Sequence, residues 1–209
     1  MISFCFTHYN RLNLPIKGET LPLFKNCLSS LKNNLDCLDI DYEIVISSFD
    51  SKEILEELTT FTFNTFPKEN VNIIPSPPES FTRGGGRQLA YKYSKGKTIA
   101  FIDTDMLFMR SKVIQKGIEL TNKGYAYFPI CYTILENGEG QWRPTGKGNC
   151  FVPKQHLQNV EWLAKKEWGR EDDKFMDDLE KITLVFRDNT PGWYHQWHPK
   201  TDFTSYAHI

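Results

Sequence analysis

The sequence predicts an α/β protein in which a Rossmann-like, mostly parallel sheet is flanked by helices. Apolar runs without alternation, typical of strands covered on both faces of a sheet, recur along the first half of the chain. Between them lie segments whose apolar residues repeat every three or four positions, as on one face of a helix. Strands that alternate with helices in this way imply parallel pairing through right-handed crossovers.

Four strands and three helices are predicted in the first half of the chain. The strands are expected at 2–7, 42–47, 71–74 and 98–102. The helices are expected at 21–35, from an N-cap at Ser51 through Phe61, and from 83 to about 94. In the second half a helix is expected at 113–121, a strand at 125–132, a glycine-bearing and mobile loop at 135–148, a short helix with Pro153 in its first turn, a helix at 171–179 and a strand at 182–186.

Length and composition favour one domain with a substantial core. The chain has 209 residues, and its formal net charge of −1 argues against a nucleic-acid partner held by a broad basic face. The first ten residues carry neither a basic start nor a long apolar stretch, so no signal peptide or membrane span is expected and the protein is predicted to be cytoplasmic. Its five cysteines show no metal-type spacing and are predicted to be reduced thiols.

Two carboxylates, Asp103 and Asp105, follow the predicted strand at 98–102 directly. Ligands of open α/β sheets bind outside the carboxyl ends of the strands, and side chains two positions apart on an extended backbone point the same way. The pair therefore suits a hard divalent cation. Taken alone, an Asp-Thr-Asp triplet is better explained as a polar strand end with turn-forming residues.

Glycine-containing segments give weaker signals. Gly96-Lys97-Thr98 enters a strand and lacks the upstream glycine of a phosphate-binding P-loop, so that motif is rejected. The triple glycine at 84–86 precedes a helix and permits close backbone approach to a ligand, although a flexible turn explains it as well. The five tryptophans all lie in the second half, where they could pack in the core or stack on sugar rings.

Three segments together resemble the GT-A class of nucleotide-sugar glycosyltransferases. They are Tyr9-Asn10-Arg11 after the first strand, the arginine-led helix that runs into Phe-Ile-Asp-Thr-Asp-Met at 101–106, and Trp-Gly-Arg-Glu-Asp-Asp-Lys-Phe at 168–175. The last segment resembles β-1,4-galactosyltransferases and the related, inverting family 2 enzymes. With Tyr194-His195 following, the similarity spans nearly the whole chain. It implies a single GT-A domain with a nucleotide-sugar half at 1–106 and an acceptor-binding, catalytic half at 107–209.

The resemblance also implies roles for individual residues. Asp105 corresponds to the direct metal ligand, Asp103 to the ribose and metal-shell partner, and His195 to a further ligand with His198 as its rival. One histidine among oxygen ligands suits Mn²⁺ better than Mg²⁺, although Mg²⁺ is possible. The donor-binding residues implied are Thr7, Tyr9, Asn10, Arg11, Asp50, Arg83, Arg87, Asp103 and Thr104. Thr7 replaces the family's usual proline, and Asp50 lies two positions beyond the place of the expected pyrimidine-reading aspartate, which is Ser48.

On the acceptor side, the resemblance implies that Asp172 is the catalytic base. Trp142, Trp168, Glu171 and Asp173 are the acceptor-binding candidates. Acidic residues at 171–173 are also explained by a helix start, which favours negative charge. The predicted function is metal-dependent, inverting transfer of a sugar from a nucleoside-diphosphate sugar, UDP being favoured, to a hydroxyl of a glycan or other acceptor. Two alternatives remain at this point, namely a nucleotidyltransferase that forms nucleotide sugars and a non-catalytic carbohydrate-binding domain.

Overall fold

The computed structural model describes residues 1–16, 18–164 and 170–199. Its strands are β1 Ile2–His8, β2 Leu14–Ile16, β3 Glu19–Leu21, β4 Tyr42–Ser48, β5 Val71–Pro75, β6 Thr98–Ile102, β7 Met106–Phe108, β8 Ala126–Tyr127, β9 Ile130–Ile134, β10 Gly140–Arg143, β11 Cys150–Pro153, β12 Val185–Phe186 and β13 Asn189–His195. Its helices are α1 Leu23–Leu35, α2 Lys52–Thr65, α3 Arg83–Tyr93, α4 Lys112–Asn122 and α5 Glu171–Glu180.

The main sheet has the strand order β12-β8-β11-β6-β1-β4-β5. The four predicted strands β1, β4, β5 and β6 are parallel to one another and lie side by side, as expected from their alternation with helices. Beyond β6 the sheet continues with the antiparallel strand β11, which also pairs with β8. The prediction of a mostly parallel sheet flanked by helices is confirmed, with an antiparallel extension contributed by the second half of the chain.

Helices cover both faces of this sheet. Phe4 and Phe6 of β1 point into a core that includes the apolar stripe of α1 and residues of α2 and α4. Cys5, between them, points into a second core with residues of α3 and α5. Neighbouring residues on β1 are therefore both buried, which explains why the strand reads as a continuous apolar run.

A smaller sheet of order β10-β9-β13-β7 lies at the carboxyl end of β6. Its strand β13 pairs antiparallel with β7 and parallel with β9. The register of β13 against β9 shifts between Asn189 and Tyr194, around Gly192 with its φ of +90°. The sequence patterns do not predict β7, β11 or β13, since each is short or interrupted by Pro or Gly.

Several predicted elements of the second half were wrong in extent. The strand expected at 125–132 is split between β8 and β9, which belong to different sheets, because Pro129 has no N–H to continue a ladder. The loop expected at 135–148 contains β10, which forms a hairpin with β9. Pro153 ends β11 and precedes a 3₁₀ helix at Lys154–Gln158, and the strand expected at 182–186 is reduced to β12.

Among the described residues, no helix is both long enough and apolar enough to cross a bilayer.

Candidate active site

A cleft of about 1240 Å³ opens at the carboxyl ends of β1 and β6. Its walls come from the turn after β1, the start of α3, the segment after β6, the hairpin strand β10 with the loop after it, the start of α5 and the residues after β13. Most of the sequence-predicted site residues line it, namely Thr7, Tyr9, Arg11, Arg83, Arg87, Asp103, Thr104, Asp105, Glu171, Asp172, Asp173, His195 and His198. Segments that are far apart in the sequence therefore meet in one place.

Three predicted site residues do not line the cleft, and a fourth cannot be placed. Asn10, Asp50 and Trp142 are absent from its walls. Trp142 lies in β10 and is 37% exposed, and its ring centroid is 5.5 Å from that of Tyr132. Trp168 lies outside the described residues.

Asp50 is buried beneath the turn that follows β1. One of its carboxylate oxygens accepts from the backbone N–H of Asn10 at 2.7 Å, and the other contacts His8 and accepts from Ser48 at 2.6 Å. Burial alone would raise the pKa of Asp50, but these hydrogen bonds, that to His8 first, hold it below its ordinary value. Asp50 is thus engaged in fixing the backbone of Asn10, which adopts a φ of +51°.

Two arginines of α3 hold Asp103. Helix α3 begins at Thr82, whose hydroxyl accepts from the Gly85 N–H at 3.0 Å, and positions Arg83 and Arg87 one turn apart on the same face. Arg83 donates to one oxygen of Asp103 at 2.9 Å, and Arg87 donates to the other at 2.7 Å.

The same guanidinium groups reach the acidic start of α5. Arg87 donates to Asp172 at 2.5 Å, and its buried side chain lies over the ring of Trp162 at 4.2 Å. Arg83 approaches Glu171 at 3.4 Å and Asp172 at 3.6 Å. The arginines therefore connect the end of β6 to the beginning of α5, which explains how residues 103 and 172 come to share one site.

Asn149 and Gly148 complete this network, although sequence reasoning did not select either as a site residue. The side-chain oxygen of Asn149 accepts from the Asp103 N–H at 2.7 Å, while its amide donates to the Asp103 carboxylate at 3.2 Å. An added Cβ at Gly148 would lie 2.8 Å from both Arg83 and Asp103. The only available sequence signal was the glycine-bearing composition of this segment, which does not specify a partner.

Electrostatic complementarity fixes the ionised state of Asp103. Burial alone would raise its pKa, but the charges of Arg83 and Arg87 and their hydrogen bonds lower it well below the ordinary value. The pKa of Arg83 is in turn raised, since the nearby charges of Asp103, Asp172 and Glu171 outweigh its burial. Asp103 is therefore a carboxylate at neutral pH.

A second group of side chains lies beside this network. Asp105, His195 and His198 offer ligand atoms that all lie within 4.8 Å of one another. The Nε2 atom of His198 is 3.2 Å, and that of His195 is 3.8 Å, from the same oxygen of Asp105. The two histidines, treated as rivals in the sequence, are both within reach of Asp105. Asp103 is not part of this group, because both its oxygens face the arginines.

Pairing between β7 and β13 brings His195 next to Asp105. His195 is the partner of Met106 in this antiparallel register, and the N–H of Gln196 donates to the Asp105 carbonyl at 2.9 Å. His198 follows one short turn later and is also approached by Arg11 at 3.4 Å. The register of two strands thus sets the position of the first histidine.

This group has properties that suit a metal ion. Among the described residues, Asp105 Oδ1 and His195 Nδ1 are buried polar atoms without a hydrogen-bond partner. Burial lowers the pKa of His195 despite the opposing charge of Asp105, which favours the neutral imidazole that binds metals. Burial would raise the pKa of Asp105, but the hydrogen bond with His198 and the charge of His195 lower it overall, so a carboxylate ligand is available.

A sequence-family model described as Glycosyl transferase family 2 matches residues 7–192. This range includes the cleft residues Thr7, Arg87, Asp103, Asp105 and Asp172. The chain belongs to this family. The resemblance predicted from the sequence, that of a GT-A glycosyltransferase of family 2, is thereby confirmed. This membership also leaves the nucleotidyltransferase and the carbohydrate-binding module without support.

Among curated proteins, the family 2 chain is similar to human chondroitin sulfate synthase 3, with 27% identity over 202 residues. The match covers 84% of this chain but 22% of that protein, so the chain spans about a fifth of the relative's length.

Among solved structures, it is similar to Staphylococcus aureus TarS 1–349, with a TM-score of 0.71, 13% identity, and coverage of 93% of this chain and 60% of that chain. It is also similar to the complex of TarS 1–349 with UDP-GlcNAc, with a TM-score of 0.70, 13% identity, and coverage of 98% and 60%. These structural matches establish that the fold is shared.

Proposed function

We propose that this family 2 chain transfers a sugar from a UDP-sugar to a hydroxyl group of a glycan acceptor, with a metal ion and with inversion at the anomeric carbon. The observation that carries the proposal is the convergence, in one cleft, of the Asp105–His195–His198 group with Asp103, Arg83, Arg87 and Asp172. TarS binds UDP-GlcNAc and the human relative is a chondroitin sulfate synthase, which supports a nucleotide-sugar donor and a glycan acceptor for this chain.

The metal ligands proposed are Asp105, His195 and His198. Their mixed carboxylate and imidazole chemistry favours Mn²⁺ over Mg²⁺, which prefers oxygen ligands and retained waters. When bound, the ion supplies Lewis-acid stabilisation of the charge on the departing diphosphate.

Arg83 and Arg87 are proposed to bind donor phosphate oxygens. Each guanidinium has several N–H donors in one plane, so it can bond Asp103 and still offer donors to an anion. Asp103 orients these arginines, is itself held by hydrogen bonds with Asn149, and is proposed to contact the ribose. Thr7, Tyr9, Arg11 and Thr104 also line the cleft and are proposed to surround the rest of the nucleotide.

Asp172 is proposed to accept the proton of the attacking acceptor hydroxyl. Its carboxylate shares Arg87 with Asp103, at 2.5 and 2.7 Å, so the two carboxylates compete for one cation. An anionic donor bound near Arg87 would draw that cation away from Asp172, which frees a carboxylate oxygen to meet the acceptor hydroxyl. Direct attack by the acceptor hydroxyl on the sugar, assisted by one base, inverts the anomeric carbon.

Residues on the opposite wall are proposed to hold the acceptor and to close the site. Asp173 is half-exposed and pairs with Lys147 at 2.6 Å, across the mouth of the cleft between α5 and the loop after β10. Glu171 is buried beside Arg83. The hairpin that carries Trp142 is proposed to close over bound donor and exclude water. Donor with Mn²⁺ should then protect this hairpin from proteolysis, and unchanged cleavage would count against closure.

One experiment tests the function and separates its parts. Thermal unfolding of the wild type, Asp105→Ala and Asp172→Asn is measured with UDP-sugars, with and without Mn²⁺, alongside product formation with glycan acceptors. A true donor should stabilise the wild type by mass action. Asp105→Ala should lose the part of this stabilisation that depends on Mn²⁺. Asp172→Asn should keep that stabilisation, while its rate of sugar transfer falls by about 10²- to 10⁴-fold. Full transfer by Asp172→Asn would refute the assignment of the base.

A further inference from the structure

Gln196 lies between the two proposed histidine ligands in sequence and is 6% exposed. Its backbone N–H donates to the carbonyl of Asp105 at 2.9 Å. Its side-chain amide donates to the Leu23 carbonyl at 2.9 Å and accepts from Asn26 at 3.0 Å, both in the first turn of α1. One residue therefore joins the segment after β13 both to the Asp105 backbone and to a helix of the core.

These contacts begin where the pairing of β13 with β7 ends, so they act on residues that the pairing does not hold. His195 is the last residue of β13, so pairing with Met106 fixes its backbone, but His198 lies three residues beyond the strand. The side chain of Gln196 is not among those that line the cleft, and it is hydrogen-bonded to the start of α1. This attachment fixes the path of the backbone between the two imidazoles.

We infer that Gln196 is a positioning residue that holds His195 and His198 at the distance from Asp105 that an ion requires. The inference rests on the proposed metal site, since it assigns Gln196 a role in setting that site's affinity. Groups that orient metal ligands without touching the metal change metal affinity by about 10- to 100-fold when removed. Gln196 orients the two histidines through the backbone, not through a hydrogen bond to either imidazole.

The test is Mn²⁺ binding to the full, metal-free chain, measured by titration with detection of free Mn²⁺ by electron paramagnetic resonance. Gln196→Ala should weaken binding about tenfold or more. Asn26→Ala removes one of the side-chain hydrogen bonds from an exposed position, and should weaken binding about two- to tenfold. The second variant keeps the inference testable if Gln196→Ala does not fold.

Asn34 provides a matched control in the same helix. Its amide also joins α1 to the segment after Asp105, by donating to the Phe108 carbonyl at 2.5 Å, but it contacts neither histidine. Asn34→Ala should lower the melting temperature and leave the Mn²⁺ dissociation constant within about twofold of the wild-type value, since the histidine ligands stay in place.

The outcomes separate the inference from the proposed function. A wild type that binds Mn²⁺ while both Gln196→Ala and Asn26→Ala bind it equally well would overturn the role of Gln196 alone. Equal weakening in Asn34→Ala would also overturn it, because the effect would then be one of general stability. A wild type that does not bind Mn²⁺ would refute the metal site itself, and the role of Gln196 with it.

Discussion

Replacing Gly148 by alanine is the sharpest test of the network formed by Arg83, Arg87 and Asp103. The added Cβ would lie 2.8 Å from Arg83 Nη2 and from Asp103 Oδ2, and 2.9 Å from Arg87 Nη2. Carbon does not approach nitrogen or oxygen so closely without displacement, and the atoms that must move are those that form the hydrogen bonds of 2.9 and 2.7 Å.

The cost follows from what the methyl group displaces. Overfilling a packed site costs about 1–3 kcal/mol. A hydrogen bond to a charged group contributes about 1.5–3 kcal/mol, so losing one of the two arginine contacts gives a similar figure. We expect Gly148→Ala to lower the free energy of unfolding by about 1–3 kcal/mol. A loss of about 1.4 kcal/mol in the transition state would also reduce turnover tenfold.

Urea denaturation of the full chain measures the first effect, with a Gly146→Ala control from the same loop. At Gly146 the nearest atom to an added Cβ, the Arg143 carbonyl oxygen, is 3.6 Å away, which is ordinary contact. Its unfolding free energy should change by no more than about 0.5 kcal/mol. If Gly148→Ala unfolds at the same urea concentration as Gly146→Ala, the close approach to the arginines has no energetic consequence and the reasoning is wrong.

Three further perturbations have defined outcomes. Gly86→Ala should be strongly destabilising in denaturant titrations, because its Cβ would lie 2.1 Å from Thr7 Cγ2 where α3 crosses β1; wild-type stability would contradict this packing. Asp105→Ala should abolish the Mn²⁺-dependent rise in melting temperature that calorimetry measures. If the rise is retained, Asp105 is not a ligand of the metal. The folded-state pKa of Asp50 lies below its unfolded value, so its contribution is present above about pH 4 and is lost as pH falls through the folded pKa. The stability difference between wild type and Asp50→Asn should therefore narrow on acidification, and a constant difference from pH 7 to about pH 3 would exclude this linkage.

The first half of the fold was predictable because its signals are local. The strand from Thr98 to Ile102 reads as a continuous apolar run, and the structure begins and ends it at those residues. Helix α1 carries its apolar stripe at residues that the structure buries in the core. In such elements the hydrophobic periodicity, the burial and the main-chain hydrogen bonding indicate the same structure. A short stretch of sequence is therefore sufficient to predict the element.

The second half depends on pairings that no local window contains. β7 has three residues and β13 contains Pro191 and Gly192, so neither carries a strong strand pattern. They form because they pair with each other across nearly ninety positions of sequence. From the sequence, His195 and His198 could therefore be proposed only as alternative metal ligands. That both lie near Asp105 depends on this strand pairing.

The candidate site was predictable at the level of residue types and order, and less so at the level of contacts. Asp103, Asp105 and Asp172 were selected from motifs, and they line one cleft. Asn149 was not selected, since a single asparagine after a glycine-bearing segment has no spacing that identifies it. The separation of Asp103 from the histidines was also not predictable, because it depends on how the arginines of α3 are oriented.

The irregular stretch of β13 around Gly192 determines which side chains face the cleft. Side chains two positions apart along a strand lie on the same face, so Trp193, fully buried against Phe108, shares a face with His195, which reaches Asp105. Deleting one residue before Trp193 would exchange inward and outward positions, directing Gln196 to the place of His195. Homologues whose length differs here should therefore differ by an even number of residues. Changes of two residues preserve the face on which the imidazole lies, and changes of one do not.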